Sequence, residues 1–176
     1  MRTVDFIKTL NAVALIALTL GAGCTPTAPN PPTPNIPSDW QTQTDPQSGL
    51  SFSYPTTLNK LYIREIDWPP QMQMLNAAFQ CNPTESSTTP PGSVTETRVI
   101  NDRTFCVTTA AEGAAGSTYT QYTYAFAKAE ATAALTFTLR TPQCLNYPEP
   151  QQTACVGEQQ DFDIDALVDS IIKTLN

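Results

Sequence analysis

The side chains in this 176-residue chain that could do chemistry are five cysteines, a short run of alternating aspartates and a scatter of other carboxylates. Histidine is missing altogether. That excludes a Ser-His-Asp triad, a His-paired Cys nucleophile and any His-ligated zinc site. Cys81, Cys106, Cys144 and Cys155 form an even set with no Cys-x-x-Cys spacing. In an exported chain such a set points to disulfides, and four cysteines allow three pairings. The expected pairs are Cys81–Cys106 and Cys144–Cys155. The second would close the Pro- and Gln-rich excursion Leu145 to Ala154. A metal site or a redox pair is the alternative use of the same thiols.

Other constellations fail on spacing. Asp161, Asp163 and Asp165 have the spacing that opens a calcium loop, which then wants Gly at position 6 and Glu at position 12. Those positions hold Ala166 and Ile172, so helix capping is the expected role of the aspartates. Ala110 to Ser117 reads as a small, Gly-containing loop between strands. Ser117 follows Gly116, but there is no G-x-S-x-G motif. A Ser-Lys arrangement would need Lys60 or Lys128 beside it. Glu112 with Glu96 or Glu130 could form the carboxylate pair of a glycosidase, though any acidic chain offers such pairs. Trp40, Trp68 and the set Tyr119, Tyr122, Tyr124 could stack on sugars or form an interface, with ordinary sheet positions as the alternative. No catalytic, metal or cofactor-binding residue is expected from these patterns.

The N-terminus has the anatomy of an export signal. Arg2 and Lys8 precede an apolar run from Asn11 to Leu20, and the small residues Gly21, Ala22 and Gly23 lead into Cys24. The apolar run is too short to be read as a spanning helix, which needs roughly 20 residues. Small residues running directly into Cys24 resemble the lipobox of bacterial lipoproteins. Gly21 stands where that family usually has Leu, with Leu20 one step further out. The resemblance implies removal of residues 1–23, acylation of Cys24, and anchoring to the outer face of a bacterial membrane. Residues 24–40 then read as a tether. Six prolines between Thr25 and Pro37 bar a helix or ladder and favour an extended, polyproline-like spacer of roughly 40 Å at about 3.1 Å per residue.

The elements that would position any site lie in residues 41–176, expected to be one α+β domain. The chain holds 27 threonines, and β-branched and aromatic residues favour a half-buried pleated surface. Leu50, Phe52 and Tyr54 alternate with Ser51 and Ser53 in a short strand ended by Pro55. Leu61 to Ile66 is a second strand, stopped by Asp67-Trp-Pro-Pro70. Gln71 to Gln80 fits neither helical nor strand period, and Asn82 to Ser93 reads as a polar loop. Val94–Ile100 and Arg103–Thr109 flank Asn101-Asp102, a two-residue hairpin turn. Thr118–Lys128 alternates with Thr120, Tyr122, Tyr124 and Phe126 on one face, and Leu135, Phe137 and Leu139 line a further strand. These four strands should form an antiparallel meander. Ile164, Leu167, Val168, Ile171, Ile172 and Leu175 make one apolar stripe of an amphipathic helix, capped by Asp161 or Asp163 and packed on the sheet.

A Gly-apolar-x-apolar-x-Tyr-Pro strand (Gly49 to Pro55), a meander and a final helix on the sheet together resemble the PsbP-like fold. That family includes photosystem II extrinsic proteins and many bacterial lipoproteins. The resemblance implies an architecture and no function.

Beyond the signal, seven basic residues face fifteen acidic ones, a net charge of −8. A nucleic-acid partner wants a basic face and is not expected. The expectation is a lipid-anchored extracytoplasmic protein that binds a ligand or serves as a structural part of the envelope. Its partners would be the membrane, through Cys24, and an envelope protein. A small envelope hydrolase, or an assembly factor or inhibitor of another exported protein, is the alternative.

Overall fold

A computed structural model describes residues 36–84 and 92–176. The signal, Cys24 and most of the tether lie outside the described residues. So do the prolines Pro90 and Pro91 of the expected polar loop. Trp40 already belongs to the first strand. β1 (Trp40–Thr44) and β2 (Ser51–Pro55) pair as an antiparallel hairpin. β3 (Arg64–Leu75), β4 (Ser93–Ile100), β5 (Arg103–Ala114), β6 (Ser117–Lys128) and β7 (Ala131–Pro142) build a second sheet, antiparallel throughout, in the order β3-β7-β6-β5-β4. A 3-10 turn (Cys144–Asn146), α1 (Gln151–Asp161) and α2 (Ile164–Ile172) complete the chain. The class is α+β: an antiparallel meander with an amphipathic C-terminal helix on one face.

Tight turns generate the meander. Asn101 and Asp102 both adopt positive φ, 45° and 65°, as a two-residue hairpin turn requires. Ala115 and Gly116 repeat this between β5 and β6, at 48° and 72°. The expected loop over Ala110–Ser117 is therefore a correction. Only Ala115-Gly116 turns, and the flanking residues pair from Ala110↔Gln121 to Ala114↔Ser117. Alanine and glycine are weak strand formers alone, but ladder pairing to the Thr- and Tyr-rich β6 decides their conformation.

β3 is the second correction. The prolines do not stop it at Ile66. The strand runs on to Leu75, and register shifts at Glu65/Asp67 and Asp67/Gln71 absorb Trp68, Pro69 and Pro70. A strand tolerates proline at a sheet's edge, where one row of N–H groups has no ladder to serve, and β3 is that edge.

The core lies on one face of the five-stranded sheet. Phe105, Tyr124, Phe126, Leu135 and Phe137 meet Phe52 of β2 and Val168, Ile171 and Ile172 of α2, all essentially buried. The α2 stripe is as expected, and Asp163 caps the helix by accepting from the Ala166 N–H at 2.9 Å. The chain's last residues then return to β2: Asn176 and Ser51 exchange backbone hydrogen bonds, and Thr174 Oγ1 accepts from the Ser53 N–H at 2.7 Å.

The opposite face carries a cross-strand row, Thr95↔Thr108↔Thr123↔Thr136↔Gln71. Its hydroxyls pair at 2.9 Å (Thr95–Thr108) and 3.2 Å (Thr123–Thr136). The segment after β3 crosses this face as a strap with three fastenings. Thr132 Oγ1 donates to the Ala77 carbonyl, Cys81 is bonded to Cys106, and the Thr84 N–H donates to the Thr95 carbonyl on the free side of β4. The second disulfide, Cys144–Cys155, joins the 3-10 turn to α1. Both pairs are the expected ones. The excursion that the second disulfide closes is not a plain loop, because α1 begins inside it at Gln151. Only Cys155 of α1 is buried, so the helix has no apolar stripe to betray it.

Candidate functional site

A cleft of about 720 Å³ lies between the β1–β2 hairpin and the outer edge of β3. One wall is Gln43 of β1 with Asp45 and Gln47 of the following turn. The other is β3 from Ile66 to Leu75. Trp68 holds the walls together. Its Nε1 donates to the Pro55 carbonyl at 2.9 Å, and its ring meets Tyr54 and Phe137 edge-on at 6.1 and 5.9 Å. Asp45 organises the turn by accepting from the Ser48 N–H at 2.8 Å and from the Ser48 hydroxyl. These bonds, the hydroxyl's first, hold its carboxyl below the usual carboxylate range.

The lining has a definite chemical character. Gln43, Gln47, Gln71 and Gln73 offer amides that both donate and accept, and Asp45 and Asp67 only accept. Ile66 and Leu75 leave about half of their surface exposed, and Met72 and Met74 supply an apolar floor. None of the lining residues is basic, and none is Ser, Thr, Cys, Lys or Tyr. Its polar groups are therefore amides and carboxylates set beside exposed apolar side chains.

The patterns singled out in the sequence are drawn apart by the fold. Ser117 is buried at the β5–β6 turn, where its hydroxyl accepts from Arg140 Nε at 3.0 Å. Lys128 stands at the opposite end of the same strand, and Lys60 lies over the Phe162 ring. The register puts Glu96 and Glu112 on opposite faces of the sheet, and Glu130 sits in the β6–β7 turn, far from Glu112. Glu96 is paired with Arg98. Among the aspartates, Asp163 caps α2 while Asp165 accepts from Arg98 Nη1 at 2.8 Å and from the Tyr124 hydroxyl at 2.6 Å. Burial, then the bond to Asp165, pushes the Tyr124 phenol far above its ordinary range. Tyr122 stacks on Phe137 at 5.6 Å. Among the described residues no group of three or more Cys, Asp or Glu is placed to hold a metal ion.

Of the aromatic candidates, only Trp68 lines the cleft. Its amides and carboxylates were not singled out by sequence reasoning. The available signal was the period-two alternation of Gln41-Thr-Gln-Thr44 and Gln71-Met-Gln-Met74, which in each case puts its glutamines on one side of a strand. Comparison with protein families, with curated proteins and with solved structures finds no match for this chain.

Proposed function

We propose that this chain is a binding domain of the bacterial envelope, held outside the membrane by a lipid on Cys24 and a proline-rich tether, and that the cleft beside β3 is its binding site. The observation that carries the reading is the cleft itself. It is a groove of ligand-binding size with amides, carboxylates and exposed apolar groups, and with no nucleophile beyond the carboxylates. The signal-like N-terminus and the two disulfides agree with an exported location.

Two measurements test the reading. Intact mass of the native chain from the membrane fraction should begin at Cys24 and carry acyl mass; a soluble, unmodified chain removes the anchor. Hydrogen exchange of the full chain, with and without envelope extract, should show slowing confined to residues 43–47 and 66–75. Slowing elsewhere, or none, removes the site.

A further inference from the structure

The two edges of the five-stranded sheet are finished differently. On the β4 side, Thr84 pairs with Thr95 and the strap is locked to the sheet by Cys81–Cys106. The strand itself carries the charges Glu96 and Arg98. Such devices blunt an edge against pairing with other chains. On the β3 side, the first half is blunted in the same sense, by Asp67, two prolines and the register shifts. The second half is not. Gln71 to Leu75 pairs with β7 without a break, from Gln71↔Thr136 to Leu75↔Thr132, and has no proline, charge or bulge. Five residues give roughly 17 Å of regular ladder, and among the described residues no strand pairs with its other side.

The cleft follows that unpaired side. Its lining takes every residue from Gln71 to Leu75, from both faces of the strand, so it runs along the backbone edge rather than over one face. A groove of this form accepts an added strand. Main-chain hydrogen bonds supply affinity, and alternate side chains enter pockets on either side. The charge of the walls selects the occupant. Asp45 and Asp67 have no basic residue beside them in the lining, and the domain as a whole is acidic. A second copy carries the same net negative charge and would bring it to walls that are already acidic. The chain's own tether, with six prolines, lacks the donors a ladder needs.

Resting on the reading of the cleft as a binding site, we infer that β3 takes up an extended, basic segment of another exported polypeptide as a sixth strand of the sheet. Its alternate apolar side chains face Met72 and Met74, and its cation sits near Asp67.

The test uses the full chain, purified as the producing cell makes it, and the fluorescein-labelled peptide Lys-Val-Thr-Val-Thr-Val-Lys followed by fluorescence anisotropy. The peptide should bind saturably. Exchanging its lysines for glutamates should weaken binding at least tenfold. So should N-methylation of whichever alternate set of backbone amides faces the ladder. Asp67→Lys should reverse the preference between the lysine and glutamate peptides; the peptide exchange on the unaltered chain keeps the charge argument testable if that variant does not fold. Amide exchange should slow at alternate residues of Gln71–Leu75. Equal binding of both N-methylated sets overturns strand addition and leaves the binding cleft standing. So does a failure to bind peptide combined with cleft-confined slowing by soluble peptidoglycan fragments. Concentration-dependent dimerisation through β3 would replace the proposed partner by a second copy. No slowing in the cleft by peptide, glycan or envelope extract overturns both readings together.

Discussion

Glu158 shows how one side chain can hold two elements together. From α1 it accepts three backbone N–H groups of the loop before β3, those of Leu61, Tyr62 and Ile63, at 2.8, 2.6 and 3.0 Å. Burial works against its charge, but the three donors outweigh it, and the carboxyl lies below its ordinary range. A carboxylate depressed in the folded state adds stability that is complete above its unfolded pKa of about 4.3 and is lost as pH falls through the folded value. Urea midpoints should therefore drop below about pH 5, and Glu158→Gln should flatten that part of the profile while costing about 1 kcal/mol at neutral pH. The buried Tyr124 phenol acts at the other end of the scale. Its folded pKa is raised, so above about pH 10 the unfolded chain loses a proton that the folded chain keeps, and stability falls with rising pH. Tyr124→Phe should reduce that alkaline loss, leaving the share of Tyr122, whose phenol pKa burial also raises. At pH 7 it should cost about 1–3 kcal/mol, because the hydroxyl's bond to Asp165 is to a charged group.

At the scale of elements, α2 rests on three fully buried side chains, Val168, Ile171 and Ile172. Ile171→Ala should cost about 2–5 kcal/mol through the cavity it leaves. Ile171→Asp should abolish the cooperative transition seen by near-ultraviolet circular dichroism, because a charge would be placed in the helix–sheet interface. This element was legible in the sequence because burial on one side writes a 3.6-residue period. The Asn101-Asp102 hairpin was legible because both residues tolerate positive φ. β3 was not legible as a continuous strand, since proline signals a stop unless the strand is known to lie at an edge, and edge position is a property of the whole sheet. α1 was not legible either. It is held from outside itself, by Cys155 and Glu158, so it needs no stripe. The cleft was invisible for a related reason: its walls meet only when residues 43–47 and 66–75 are brought together by Trp68.

At the scale of the molecule, one disulfide fixes the strap to the sheet and the other fixes α1 to the turn that follows β7. Cys81–Cys106 spans 25 residues and Cys144–Cys155 spans 11. Each should contribute roughly 3 kcal/mol in the chain-entropy model. The double variant Cys81→Ser with Cys106→Ser should lower the thermal midpoint and make the 76–84 strap readily cleaved by protease. Cys144→Ser with Cys155→Ser should loosen α1 with less effect on the sheet, as limited proteolysis would show.

The pairing of Ser53 with Thr174 joins residues 121 apart in the chain. Synthesis from the N-terminus presents the β1–β2 hairpin early, yet Thr174 and Asn176, which bond to β2, emerge last. The meander and α2 can assemble in between, but the hairpin stays open on that side until the final turn arrives. Order of emergence and order of completion thus run opposite ways. The hairpin that carries Gln43 and Asp45 is thus fastened by the two ends of the chain at once, and the cleft wall depends on both.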